Sequence, residues 1–132
     1  ITEIEAGGGI YGCVRYRKSF GVQVEPALTV LSTVTSRPAA DRIICDAGFK
    51  AAGKGAPDPE LVGIAIPYSV RFSAEHGVIT LSQEVLQPRV GDTIEFVPGY
   101  SDAVIFLHDY LYAVRDGYVE TVWPIAGRGK LQ

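Results

Sequence analysis

With 132 residues, 47% of them hydrophobic and 20% charged, the chain can bury one core and is too apolar to stay disordered. A formal net charge of −3, with Lys and Arg scattered apart from Arg15, Arg17 and Lys18, excludes a nucleic-acid footprint. The apolar runs fall far short of the roughly 18 residues a membrane span requires, and no signal peptide opens the chain, so no membrane partner and a cytoplasmic setting are expected.

The chain begins at Ile1 rather than Met, which points to a piece of a longer polypeptide or a processed product. Gly7-Gly8-Gly9 is a glycine run with nothing helix-like after it. A phosphate cradle normally leads into a helix N-terminus, so a tight backbone crossing is favoured there. Cys13 and Cys45 have no C-x-x-C spacing and make no disulfide framework; both are expected as reduced, partly buried thiols.

Leu28 to Thr35 is rich in β-branched residues and predicts a strand, and Arg42 to Cys45 predicts a second, ended by Asp46-Ala47-Gly48. Asp46 and Lys50 bracket the next step and are expected to pair. A Schiff-base role for Lys50 is disfavoured because no phosphate cradle accompanies it. Lys50 to Glu60 is Gly/Pro/Ala-rich and reads as a long loop. Leu61 to Ile66 reads as a further strand. Val70 to Phe72 and Val78 to Leu81 flank Glu75-His76-Gly77, a turn between paired strands with His76 solvated at its tip. In Gly91 to Val97, Ile94 and Phe96 alternate with Thr93 and Glu95, the pattern of a half-buried strand. Ser101 to Leu107 is the best helix candidate. Tyr110 to Val114 and Tyr118 to Trp123 flank Asp116-Gly117, a hairpin signal because a type I′ turn needs positive φ. Many short strands with regular turns predict an all-β, barrel- or sandwich-like single domain over 1–132, with one short helix.

No H-E-x-x-H, G-x-S-x-G or Walker sequence is present. The densest polar stretch is Pro98-Gly99-Tyr100-Ser101-Asp102, followed by His108-Asp109-Tyr110. Two readings of the first are open. Ser101 or Asp102 caps the helix by accepting backbone N–H bonds, or Tyr100 and Asp102 point at one ligand or ion. His108 is read as a buried side chain donating to a carbonyl or carboxylate, against the alternative of a titrating catalytic His.

These residues carry a resemblance. Thr35-Ser36-Arg37-Pro38, Asp46-Ala47-Gly48-Phe49-Lys50, Ser73-x-Glu75-His76-Gly77, Val90-Gly91-Asp92, Pro98 to Asp102, Leu107-His108-Asp109, Val114 to Gly117, Val122 to Ile125 and Arg128-Gly129-Lys130 follow in characteristic order. Together they resemble the C-terminal domain of D-threonine aldolases and eukaryotic-type D-serine dehydratases, alanine racemase-like enzymes. The resemblance implies that pyridoxal phosphate sits on a lysine of an N-terminal α/β barrel absent from this sequence, with Ile1 to Gly7 at the junction. It implies a small D-amino-acid substrate, the barrel as partner domain, and a homodimer in which the β domain closes a barrel mouth.

The resemblance also implies a divalent metal held by a His and, two residues later, a Cys or Asp. His with Asp would suit Mn or Mg, and His with Cys would suit Zn. Here Tyr100 stands at the His position and Asp102 at the second. A phenol, with its ordinary pKa near ~10, must lose a proton to ligate, whereas neutral imidazole is ready at pH 7. The expected outcome is a degraded or absent metal site with Asp102 its remaining ligand, and Tyr100 a catalytic or substrate-binding phenol beside a substrate-binding Asp102. Three functions follow as alternatives: a domain of a lyase that cleaves or dehydrates D-3-hydroxy amino acids, a non-catalytic dimerisation or binding module, or a metal-independent racemase- or deaminase-type relative.

Overall fold

The computed structural model describes residues 2–5 and 7–130. Within them lie eight strands: β1 (Val30–Ala39), β2 (Arg42–Cys45), β3 (Glu60–Leu61), β4 (Tyr68–Phe72), β5 (Gly77–Leu81), β6 (Thr93–Val97), β7 (Tyr110–Arg115) and β8 (Tyr118–Pro124). The first six form one antiparallel sheet in the order β3-β6-β1-β2-β5-β4, and β7 and β8 stand apart as a hairpin. The β-rich expectation is met, as a half-barrel plus an arm. Among the described residues no helix is long and apolar enough to cross a membrane.

The half-barrel curls because β1 serves two partners. Val30 to Thr33 pair with β6, and Val34 to Ala39 pair with β2, with register irregularities after Val34 and after Ser36. Such irregularities bend a strand and tighten its twist. The curl brings the two sheet edges together, and the Leu61 N–H on β3 donates to the Tyr68 phenolic oxygen on β4 at 2.8 Å. Inside, Val34, Ile43, Ile79 and Phe96 are fully buried, and Phe72 meets Phe96 edge to face at 5.8 Å. Each such side chain contributes about 1.5–3 kcal/mol by leaving water. Cys13 and Cys45 are free thiols, both buried.

The Asp116-Gly117 turn has φ values of 50° and 81°, the two positive angles a type I′ hairpin needs. Several local expectations need correction. The run Leu61 to Ile66 is a strand only at Glu60–Leu61, because Gly63 reverses the chain at φ 76°. The loop after Lys50 opens with a helical turn, α1 (Phe49–Ala52), and the second helix, α2 (Asp102–Ile105), is shorter than Ser101 to Leu107. The glycine run is itself a 3-10 turn, Gly7–Tyr11, followed by a π-helical turn, Arg15–Ser19. These five-residue turns are too short to leave an apolar period. Contacts across the fold hold them: Val14 N–H donates to the Pro98 carbonyl at 3.0 Å and Arg15 N–H to the Gly99 carbonyl at 2.9 Å. Ile1 and Ala6, part of the expected junction segment, lie outside the described residues.

The expected Asp46–Lys50 pair is also replaced. Asp46 Oδ1 accepts from Ser32 Oγ at 2.7 Å and from Thr33 N–H at 2.8 Å, riveting β1 to the end of β2. Burial opposes ionisation of Asp46, but these hydrogen bonds outweigh it and hold its pKa below the ordinary carboxylate value. Lys50 instead reaches Glu75 at 2.5 Å. Phe49 and Lys50 N–H groups donate to the Ser73 and Ala74 carbonyls, and a Cβ on Gly48 would collide with the Ala74 carbonyl. The segments 46–50 and 73–77 are thus one interlocked joint. Arg37 is a second fastener, donating to the Pro88, Ala40 and Val85 carbonyls.

Candidate functional site

The polar turn after β6 sits where four segments converge. Pro98 and Ser101 are fully buried, Tyr100 is half-buried and Asp102 is exposed. Gly99 is required by proximity, since a Cβ there would fall on the Pro57 carbonyl. From the other side, the 3-10 turn presses in. A Cβ on Gly8 would collide with Asp102 Oδ1 and crowd Ser101 Oγ, so the glycine run is a tight backbone crossing. A carboxylate at that crossing would repel phosphate, and Lys50 is engaged with Glu75. Neither a phosphate cradle nor a free Schiff-base lysine is offered here, so these residues do not fit pyridoxal phosphate.

The capping reading of Ser101 is not what the turn does. Ser101 precedes α2 with helical angles (φ −59°, ψ −42°) and makes no side-chain cap bond. Its single hydroxyl proton lies between two acceptors, the Gly8 carbonyl at 3.3 Å and Asp102 Oδ1 at 3.2 Å. The hydroxyl therefore ties the N-terminal segment to the turn and steadies the Asp102 carboxylate. Behind it, His108 Nε2 lies 2.8 Å from the Ala51 carbonyl; since that oxygen only accepts, the ring donates, and the residue braces α1 against the segment after α2.

Tyr100 and Asp102 do come together. Hydrogen bonding toward the Asp102 carboxylate, and then that carboxylate's charge, push the Tyr100 phenol above its ordinary pKa. Arg15, whose guanidinium lies 4.7 Å from the Tyr100 ring centroid, pulls the other way but does not prevail. The phenol is thus a firm hydrogen-bond donor and a reluctant ligand. No group of three or more His, Cys, Asp or Glu side chains able to hold a metal occurs among the described residues. One carboxylate and a phenol that keeps its proton do not fit a divalent cation at this turn.

Beside Tyr100 opens a cleft of about 370 Å³ between the Gly53–Pro59 loop, β4 and the start of α2. Sequence reasoning missed this cleft and missed Arg15 as the neighbour of Tyr100. The contacts join residues 85 positions apart in the chain (100 less 15), and no local pattern announces them.

Residues 27–114 match the family described as "Putative serine dehydratase domain". The chain belongs to that family. This serine dehydratase-like domain is 36% identical, over 97% of its length, to a D-threonine aldolase from an Arthrobacter species, and covers 35% of that protein. It is 38% identical, over 80% of its length, to a 3-hydroxy-D-aspartate aldolase from Paracoccus denitrificans, covering 27% of it. Its fold matches the crystal structure of D-threonine aldolase from Filomicrobium marinum with a TM-score of 0.77 at 29% identity, over 84% of this chain and 30% of that one. The chain thus spans about a third of the length of the relatives it matches.

Proposed function

We propose that this serine dehydratase-like domain is the β domain of a pyridoxal-phosphate lyase acting on D-3-hydroxy amino acids, by aldol cleavage or dehydration. The observation that carries this reading is the aldolase similarity over 97% of the chain combined with coverage of only 35% of that relative. The remaining two-thirds would supply the barrel that carries the cofactor, which serves as electron sink in such reactions. No step of that chemistry is assigned to a residue of this chain acting on the cofactor.

The role left to this chain is to close and shape the substrate side of the site. Tyr100 is the catalytic and substrate-binding residue of this reading. It presents a protonated phenol whose single proton, given to Asp102 in the free domain, turns on binding to donate a hydrogen bond to the substrate's β-hydroxyl. Asp102, a substrate-binding residue, holds the phenol's orientation and favours its neutral form. A neutral donor at this position takes the place that a polarising metal would occupy in a His-bearing site. The β7–β8 arm supports the same reading. Tyr110, Tyr112, Val114, Tyr118, Val119, Val122 and Trp123 are all exposed on it. A two-stranded hairpin is marginal in water by itself, and the barrel of the same or a partner subunit in a cytoplasmic homodimer would cover it.

The test begins with the native polypeptide. A product roughly three times this length, carrying the cofactor's absorbance and cleaving D-threonine or 3-hydroxy-D-aspartate, is the expected result. Activity should survive a chelator. Tyr100→Phe should lower kcat by about 10²-fold, the low end for a positioned proton donor, while KM moves less. A colourless native product with no activity on either substrate would overturn the proposal. Loss of activity with chelator, restored by a divalent ion, would overturn the role given to Tyr100.

A further inference from the structure

Among the cations of the short cluster Arg15, Arg17 and Lys18, two are spent and one is not. Arg17 and Lys18 both pair with Glu60. Among the described residues the Arg15 guanidinium makes no ion pair and no side-chain hydrogen bond; its neighbours are two rings, Tyr100 at 4.7 Å and Phe20 at 5.9 Å from the guanidinium carbon to the centroid. Its backbone is pinned to the polar turn, since its N–H donates to the Gly99 carbonyl at 2.9 Å and its own carbonyl accepts from the Phe20 N–H at 3.3 Å. Phe20 in turn meets Tyr16 edge to face at 5.4 Å. The cation is thus held beside the Tyr100 ring by backbone and aromatic contacts alone. A ring occupies a face of a guanidinium and leaves the N–H donors on its edge unspent. Arg15 is half-buried, so part of the water that would satisfy those donors is excluded.

We propose that Arg15 binds the carboxylate of a 3-hydroxy acid whose hydroxyl lies at Tyr100. The identity of that acid rests on the lyase reading: it is the D-3-hydroxy amino acid itself, held by its α-carboxylate. In such a molecule the α-carbon carries the carboxylate and the next carbon the hydroxyl, so the groups that recognise them must stand side by side, as this guanidinium and this phenol do. The guanidinium fork takes a carboxylate in its plane, and the phenol takes the hydroxyl. The local charges also call for a cation. Asp102 is a carboxylate on the same turn, and a second carboxylate brought to Tyr100 is repelled by it unless Arg15 offsets the repulsion. Specificity follows, because an uncharged amide in place of the carboxylate leaves the fork unmatched.

The experiment has two arms. In the native enzyme, Arg15→Gln should raise KM for D-threonine by roughly tenfold to a hundredfold, the span of a hydrogen bond to a charged group. Its kcat should move by less than about threefold, the pattern of lost uniform binding, and Arg15→Lys should recover part of the loss. D-threoninamide, which lacks the carboxylate, should be a poor substrate for the parent and no worse for Arg15→Gln. In the isotopically labelled chain, 3-hydroxybutyrate should give saturable NMR shifts at Arg15 Nε and at the amides of Gly99 to Asp102. Those shifts should be absent with 3-hydroxybutyramide and in Arg15→Gln, whose spectrum stays folded. An unchanged KM, equal losses on D-threonine and its amide, or a fall in kcat alone would overturn the assignment; the last would leave Arg15 as a support for the Tyr100 ring. The two readings fail separately. Arg15-dependent binding of 3-hydroxybutyrate in a native product without cofactor would keep the site and remove the lyase. Lyase activity whose KM ignores Arg15 would keep the lyase and remove the site.

Discussion

The half-barrel and the β7–β8 arm are both rich in apolar side chains and meet opposite fates. In the half-barrel, strands alternate, so Val34, Ile43, Ile79 and Phe96 point inward and are fully buried. In the arm, every residue of β8 is exposed, as are Tyr110, Tyr112 and Val114 on β7. Among the described residues the strands of the arm pair only with each other. Its cross-strand pairs Tyr110↔Pro124, Tyr112↔Val122 and Val114↔Val119 put one continuous apolar face in water. A contiguous apolar surface of this kind marks a contact site. One region is a core, stable by its own burial; the other leaves its apolar side chains exposed.

Four measurements can break or sharpen that contrast. The largest effect belongs to the core: Phe96→Ala should cost about 3–5 kcal/mol in urea unfolding, enough to remove much of the stability of a domain this size. Tyr112→Ala and Trp123→Ala should each cost under about 0.5 kcal/mol in the same assay. Equal losses at both places would mean that arm and half-barrel unfold as one unit, and the contrast would fail. Gly99→Ala comes next, at about 1–3 kcal/mol, because its Cβ must displace the Pro57 carbonyl.

Asp46→Ala should cost about 1–2 kcal/mol, leaving Ser32 Oγ and the Thr33 N–H without their acceptor. Its pH signature has a defined sign. Asp46 and Glu60 both have depressed folded pKa values, Glu60 because Lys18 and Arg17 outweigh the cost of its burial. Their stabilisation is present above the unfolded values near about 4 and is lost as pH falls through the folded values. Urea midpoints should therefore drop on acidification below about pH 4, less steeply in Asp46→Ala. The smallest effect on stability belongs to Tyr112→Ser combined with Val122→Ser, within about 0.5 kcal/mol. In light scattering, however, the parent chain is expected to self-associate through the arm and the double variant to stay monomeric. Unchanged association would locate the sticky surface elsewhere.

Part of the site is legible in the sequence. Tyr100 and Asp102, two residues apart, are expected near one another, and the carboxylate does raise the phenol's pKa. His108 as a buried donor is also legible, and it meets the Ala51 carbonyl. The cap expected at Ser101 fails because capping propensity is local, while the hydroxyl is drawn to a carbonyl 93 residues away. Likewise Asp46 and Lys50 stand close in sequence, yet each finds a better partner across the sheet.

What the sequence determined by itself was whatever a short window encodes. Strand alternation, the type I′ turn at Asp116-Gly117, buried free thiols and family membership through ordered motifs all depend on neighbours within a few residues or on their order. What only the tertiary structure decided depends on distant segments meeting. The curl of β1 between two partners, Gly8 against Asp102, Arg15 over Tyr100, and the cleft beside Tyr100 are of this kind. They arise because a curved sheet must bring its edges together, and the side chains that meet there share no spacing along the chain.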